Sequence, residues 1–385
     1  MTKHLGIVAS TLLLVACGKV EPVFHASDNP QRLSEWGLFS VTADSLTPVA
    51  ATEVFTPANQ LFSDYAGKLR TLWIPAGGNI TLVAGEFDYP VGTVLTKTFY
   101  YPLDQSGNVR ATLPQSLESI KLSTHRVLET RLLIKRTGGW DALPYIWNDD
   151  MSEAFLRIAG GSIPLNINSG AVTSFTYFVP NGNQCAACHV TEHPDGMIEP
   201  LGAIVRQLQY LPQRLSAYGG DEDGSGRGNG DESADVSESE AGYEASKLVN
   251  RGWLAELPPD PATPSYHFES TDLSTKAAEY LNINCGHCHN PRGAADTSAL
   301  ILNGEHNTLA QVGVCKPPVA AGGGAGDLQY SIVPGAPEQS ILLYRMQSAE
   351  ADEMMPELGR SLIHSEGIQL ISDWIANLPG NCGGL

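Results

Sequence analysis

Two hydrophobic patterns divide the chain. Between residues 31 and 180, apolar runs rich in β-branched and aromatic residues recur at LRTLWI (69–74), TVLTKTFYY (93–101), VLETRLLIK (127–135) and VTSFTYFV (172–179). Turn-forming clusters separate them: PAGGN (75–79), DQSGN (104–108) and TGGW (137–140). Such side chains suit a pleated, half-buried surface, and the clusters carry the residues that turns require. The pattern predicts a β-rich, sandwich-like or half-barrel domain, with a little helix near 151–158. Beyond residue 180 the spacing becomes helical. In SEGIQLISDWIANL (365–378), Ile368, Ile371, Trp374, Ile375 and Leu378 recur on one face. STKAAEYLNI (274–283), the segment around 340–346, and the stretches 201–211 and 242–255 also read as helices. The fold class expected is multidomain and α+β overall.

Two copies of Cys-x-x-Cys-His lie in the second part, CAACH at 185–189 and CGHCH at 285–289. This is the attachment motif of c-type haem. Two thiols add to the vinyl groups at one edge of the porphyrin, and the adjacent histidine reaches the iron. The spacing therefore predicts two covalently bound haem c groups. Cys185, Cys188, Cys285 and Cys288 would be their attachment points and His189 and His289 their proximal ligands. Three other readings compete. Two Cys-x-x-Cys pairs can hold zinc, but the histidine after each pair is then unexplained. CGHC resembles a thiol–disulfide exchange site, but a helical rather than strand pattern precedes it. The third alternative is two structural disulfides.

At the N-terminus, Lys3 and His4 precede an apolar run from Leu5 to Ala16 that ends in Leu14-Val15-Ala16-Cys17. Its length suits a signal-peptide core rather than a membrane span. Leu-x-Ala-Cys resembles a bacterial lipobox, which implies cleavage before Cys17 and lipid on its sulfur. Residues 17–30 then read as a tether. Gly18 after the lipid site, by analogy with enterobacterial sorting, implies the outer membrane, facing the periplasm. Of the seven cysteines, this leaves Cys315 and Cys382. They either pair in the oxidising envelope or remain as two buried thiols.

The net charge of −19 disfavours nucleic acid and steers encounters toward redox partners with basic docking surfaces. Much of that charge sits in the acidic loop 219–240, where eight acids accompany one arginine. Its composition suggests a solvated loop. Asp221, Asp223, Ser225, Gly226 and Glu232 also match positions 1, 3, 5, 6 and 12 of a calcium-binding loop, although Gly228 stands where an apolar residue is usual. Calcium is thus a second candidate cofactor.

A sixth ligand for the second haem is expected from the loop before the last helix, where Met355 precedes Pro356 and Met354 is the runner-up. For the first haem, Met197 leads, with His193, Met151, His125 and His267 as alternatives; the site also reads as possible with five ligands. An open iron would bind small molecules.

With both motifs in place, the chain resembles a largely uncharacterised bacterial family of dihaem c-type cytochromes with a long N-terminal β-rich domain. The resemblance runs through LSEWGLF (33–39), LFSDYAGKLR (61–70), FDYPVGTVLTKTFYYP (87–102), ETRLLIKR (129–136), NQCAACH (183–189), INCGHCHNPRG (283–293), VCKPPVAAGGG (314–324) and MPELGR (355–360). It implies a signal peptide at 1–16, a tether at 17–30, the β-rich domain at 31–180 and a first haem module at 181–262. The last unit, 263–385, resembles a class I cytochrome c whose two end helices cross. The expected function is that of a lipid-anchored electron carrier of the cell envelope, without a catalytic residue of its own. The alternatives are a peroxidase-like dihaem enzyme with one open haem, and the cytochrome subunit of a periplasmic dehydrogenase.

Overall fold

The computed structural model describes residues 21–111, 117–208, 244–258, 272–305, 308–319 and 322–383. Cys17, His267 and the calcium candidates Asp221, Asp223, Ser225 and Glu232 lie outside them. Among the described residues no helix is long and apolar enough to cross a membrane.

The N-terminal region is β-rich. Its centre is a six-stranded antiparallel sheet, ordered β12 (Ala154–Leu156), β11 (Gly139–Trp147), β10 (His125–Arg136), β7 (Val94–Pro102), β4 (Gly67–Trp73) and β3 (Glu53–Val54). The four long apolar runs of the sequence are strands, three of them in this sheet and the fourth in β14 (Val172–Val179). The turn read at TGGW is a two-residue hairpin at Thr137 and Gly138, across which Arg136 pairs with Gly139, and the strand that follows, β11, is not among the runs read from the sequence. Near Met151 the expected helix is absent. The Asn148 and Asp150 side chains cap a turn at Ser152, and the chain enters β12 instead. Asn and Asp compete for local backbone groups in this way.

Alternation gives the central sheet two unlike faces. Leu69, Val94, Tyr100, Leu132, Leu143 and Tyr145 look one way, into a core shared with Phe39, Leu46 and Ile120. Those three belong to a small sheet of β1 (Phe39–Val41), β2 (Ser45–Pro48) and β9 (Ile120–Lys121). On this side a second sheet thus covers the first. The opposite face is covered by other elements. At one end, Leu72, Leu95 and Trp140 pack on Ala203, Leu208, Ala245 and Leu248, which come from α2 (Val205–Leu208), α3 (Glu244–Asn250) and the chain just before α2. At the other end, Phe99 and Tyr101 pack on Leu165, Ile167, Tyr177 and Val179, from the hairpin of β13 (Gly161–Asn168) with β14.

The C-terminal part is helical. α4 (Leu273–Leu281), α6 (Ile341–Gln347) and α7 (Ser365–Asn377) enclose Tyr280, Leu281, Leu343, Met346, Ile371, Trp374 and Ile375. α4 and α7 meet at Gly367, where any Cβ would collide with the Tyr280 phenol. Only glycine permits so close an approach. Cys315 and Cys382 are disulfide-bonded, which ties the C-terminus to a loop 67 residues earlier.

Three buried polar contacts hold the helical part to the β region. The Glu279 carboxylate accepts from Asn59 Nδ2 (2.8 Å) and from Arg206 (2.7 Å). The Asn284 side-chain oxygen accepts from the Phe62 N–H. Asp64 Oδ1 accepts from the N–H groups of Ser361 and Leu362, both at 2.7 Å.

Candidate functional site

The first Cys-x-x-Cys-His motif forms the body of a short helix, α1 (Gly182–His189), entered directly from β14. Asn181 caps it and Gln184 returns the bond to the Asn181 N–H, a reciprocal capping box. After His189 the chain doubles back. Val190 bridges Ile198, and the Glu199 N–H donates to the His189 carbonyl. This return brings the Glu199 carbonyl to 2.8 Å from His189 Nδ1. The ring nitrogen so placed donates its proton there, which leaves Nε2 as the lone-pair nitrogen.

The second motif begins in a π-helical turn at Asn282–Gly286, continuing α4. Asp272 caps the start of α4 through the Thr275 N–H. His289 Nδ1 lies 2.9 Å from Ser298 Oγ, and that hydroxyl donates to the Ala295 carbonyl at 2.6 Å. The Ser298 oxygen is therefore the acceptor, and the His289 tautomer matches that of His189. Burial, the largest cause for each ring, pushes both histidines down to about 4, so both are neutral near pH 7.

The motif loops touch each other. Cys288 Sγ donates to the Ala187 carbonyl, the His193 N–H donates to Arg292 O, and Arg292 pairs with Glu192 on the surface. Cys188 Sγ, Cys288 Sγ and a His287 ring nitrogen lie within 4.8 Å of one another. The Cys288 thiol and His287 together pull the Cys188 thiol down, while the Cys188 sulfur raises Cys288. Cys185 and Cys285 stand outside that group, so the four cysteines do not converge on one tetrahedral site.

A cavity of about 490 Å³ opens between the central sheet and the two motif loops, lined by Cys185, Cys188, His189, His287, His364 and Met355. It is the size of a ligand pocket. Cys285, Cys288 and His289 are absent from its described lining. Two thiols and a tautomer-fixed imidazole on one wall are the donor set that a covalent haem requires, and the first motif fits that group. At the second motif the histidine is prepared in the same way, while Cys285 packs against the helical core.

Met355 reaches the cavity from a loop clamped by Arg360. That buried guanidinium donates to the carbonyls of Met355, Arg345, Ser348 and Leu362. The Met355 N–H is itself bonded to Arg345 O. Met197 is placed differently. The return after His189 leaves it 51 % exposed, with its methyl against Gly139 and outside the cavity lining. Met151 packs at the core on the other side of the sheet, and its sulfur accepts from the Val127 N–H. His125 bonds locally to Lys121 O and Thr124. None of these three joins His189, because a short return loop and the opposite sheet face separate them from it. Asp64 and Arg360 were not singled out from the sequence. Asp64 bonds N–H groups 297 and 298 positions away, and Arg360 reaches carbonyls 2 to 15 positions away, so neither leaves a periodic pattern.

No family model, no curated protein and no solved structure matches the chain.

Proposed function

We propose that the chain is a dihaem c-type cytochrome, held to the bacterial envelope by lipid on Cys17 and passing single electrons between redox proteins. In this reading Cys185 and Cys188 attach one haem and Cys285 and Cys288 the other. Bound haem supplies the one-electron chemistry of its iron. The protein's part is to fix two imidazoles, exclude water and set the separation of the two attachment points. The observation that carries the reading is the matched preparation of His189 and His289, each following a Cys-x-x-Cys pair and each with Nδ1 held by an oxygen. A histidine awaiting a metal needs that second bond to aim Nε2.

Met355 stays the proposed sixth ligand of the second haem on its place in the sequence, although it lines the cavity together with His189 and not with His289. Arg360 holds its loop, and a soft thioether favours ferrous iron. Met197 is not carried forward for the first haem. The class I cytochrome c assignment of 263–385 rests on the contact of α4 with α7 together with the motif and the methionine loop. A calcium site at Asp221, Asp223, Ser225 and Glu232 stays a proposal from the sequence alone.

The test is haem stoichiometry by pyridine haemochromogen assay, then the reduced spectrum with and without carbon monoxide. Two haems and no spectral change support the electron carrier. Two haems with one responding turn the reading to a peroxidase-like enzyme. No covalent haem rejects the proposal. A second reading follows from the proximity of Cys188, His287 and Cys288, which offer three ligands to one metal ion. Elemental analysis showing zinc in place of haem iron would establish it.

A further inference from the structure

The sheet face that walls the cavity is ranked across its strands. Leu72, Leu95 and Leu133 form one apolar rank over β4, β7 and β10, and the rank two residues along is Arg70, Lys97 and Arg131. The next is Lys68, Phe99 and Glu129. All three cations of the middle rank line the cavity. Arg70 is only 7 % exposed. Like charges directly opposite on neighbouring strands repel, and burial without a counter-charge makes that worse. A face that had only to pack would continue the leucines.

The protein's own counter-charge is incomplete. Glu129 engages Arg131 through two hydrogen bonds, at 2.8 and 2.6 Å, and also accepts from Tyr177. Lys68 is satisfied by the carbonyls of Leu61 and Ala66. The partner of Arg70 is the neutral Gln60 amide, at 3.5 Å. Among the described residues Lys97 Nζ has no hydrogen bond or ion pair; it stands 5.4 Å from the Phe99 ring centroid. A cation–π contact of that kind returns about 1 kcal/mol, less than a lost charge pair costs. Among the described residues a carboxylate is thus bonded to one alone, Arg131, of the three cations facing the space that the first motif also lines.

We propose that Arg70, Lys97 and Arg131 form an anion site that takes a carboxylate inside the cavity. Guanidinium forks and an ammonium are the groups that bind carboxylate most strongly. Two sources carry that chemistry. One is a propionate of a haem held in the cavity, a source that rests on the dihaem reading. The other is a small diffusible carboxylate entering beside the first motif.

The test compares wild-type holoprotein with Lys97→Gln, Lys97→Arg and Arg70→Gln, using haem count, redox titration and titration with sodium acetate. If a propionate is the occupant, both haems remain. The midpoint potential of one of them falls in Lys97→Gln and Arg70→Gln, Lys97→Arg restores it, and acetate has no effect. If the occupant is diffusible, acetate shifts the wild-type spectrum saturably, and its affinity drops about tenfold in Lys97→Gln, the loss of one charge-assisted bond. Two haems with unchanged potentials in both variants, and no acetate response, overturn the anion site and leave the dihaem reading standing. A wild-type protein without two haems rejects that reading instead; acetate binding followed by calorimetry then decides the site alone, and its absence overturns it.

Discussion

Cys188 and Cys288, one hundred positions apart, bring their sulfurs within 4.8 Å of each other where the two motif loops cross. In haem-loaded protein this contact would set the attachment edges of the two groups side by side. In chain produced without haem attachment, the same proximity makes this pair the first to oxidise, because thiol–disulfide chemistry follows access and distance. Peptide mapping after mild oxidation is expected to find a 188–288 crosslink, lost in Cys188→Ser while the Cys315–Cys382 bond persists. Crosslinks within each motif, at 185–188 and 285–288, would contradict the arrangement.

Arg360 gathers four carbonyls around the loop that carries Met355: those of Met355 and Leu362, of Arg345 in α6 and of Ser348 just after it. Arg360→Gln leaves most of them unpaired and should cost about 3 kcal/mol. Urea denaturation measures that loss. In ferric holoprotein the same variant should weaken the long-wavelength band of thioether-ligated iron. A stable variant with an unchanged band would show that Met355 needs no clamp.

Asp64 gives a pH dependence with a defined sign. Burial is the dominant cause that raises its carboxyl from 3.8 to about 6, against the lowering effect of the Leu362 and Ser361 N–H groups. The folded state therefore binds the proton more tightly than the unfolded one. Its contribution is fully present below pH 3.8 and is lost as pH rises through about 6. The difference is on the order of 3 kcal/mol. Asp64→Asn keeps the acceptor oxygen without the charge, so the stability of the variant relative to wild type should increase between pH 4 and pH 7. Parallel melting-temperature profiles across that range would refute the assignment.

Gly367 sits against the Tyr280 phenol where α4 and α7 meet. Gly367→Ala is expected to destabilise by about 1–3 kcal/mol through overpacking. Combining it with Tyr280→Leu should cost less than the sum of the two single changes, as measured by a double-mutant cycle. Strict additivity would mean that the helices do not meet there.

Periodicity was enough to locate β4, β7, β10, β14 and α7, because each is a long run whose own side chains alternate or repeat with little help from elsewhere. It read the turn before β11 but not the strand itself, whose run is interrupted by Asp141 and Pro144, and it failed near Met151, where polar side chains bond their own backbone. Of the candidate site, the two motifs were legible as strings of five residues. The clamp by Arg360 and the carboxylate of Asp64 were not: Asp64 bonds N–H groups 297 and 298 positions away, and Arg360 bonds nearby carbonyls, which every residue carries and which therefore leave no side-chain pattern.

By itself the sequence determined the two cysteine–histidine motifs, the β-then-helical order and the apolar face of α7, all carried by near neighbours. Only the tertiary structure decided that Met197 turns away from His189 while Met355 reaches the cavity. It also decided that Arg70, Lys97 and Arg131 stand in one rank, and that Cys188 meets Cys288. The physical reason is the same in each case. Strand register and loop return are set by burying whole faces against one another, a condition on the entire chain that no short segment contains.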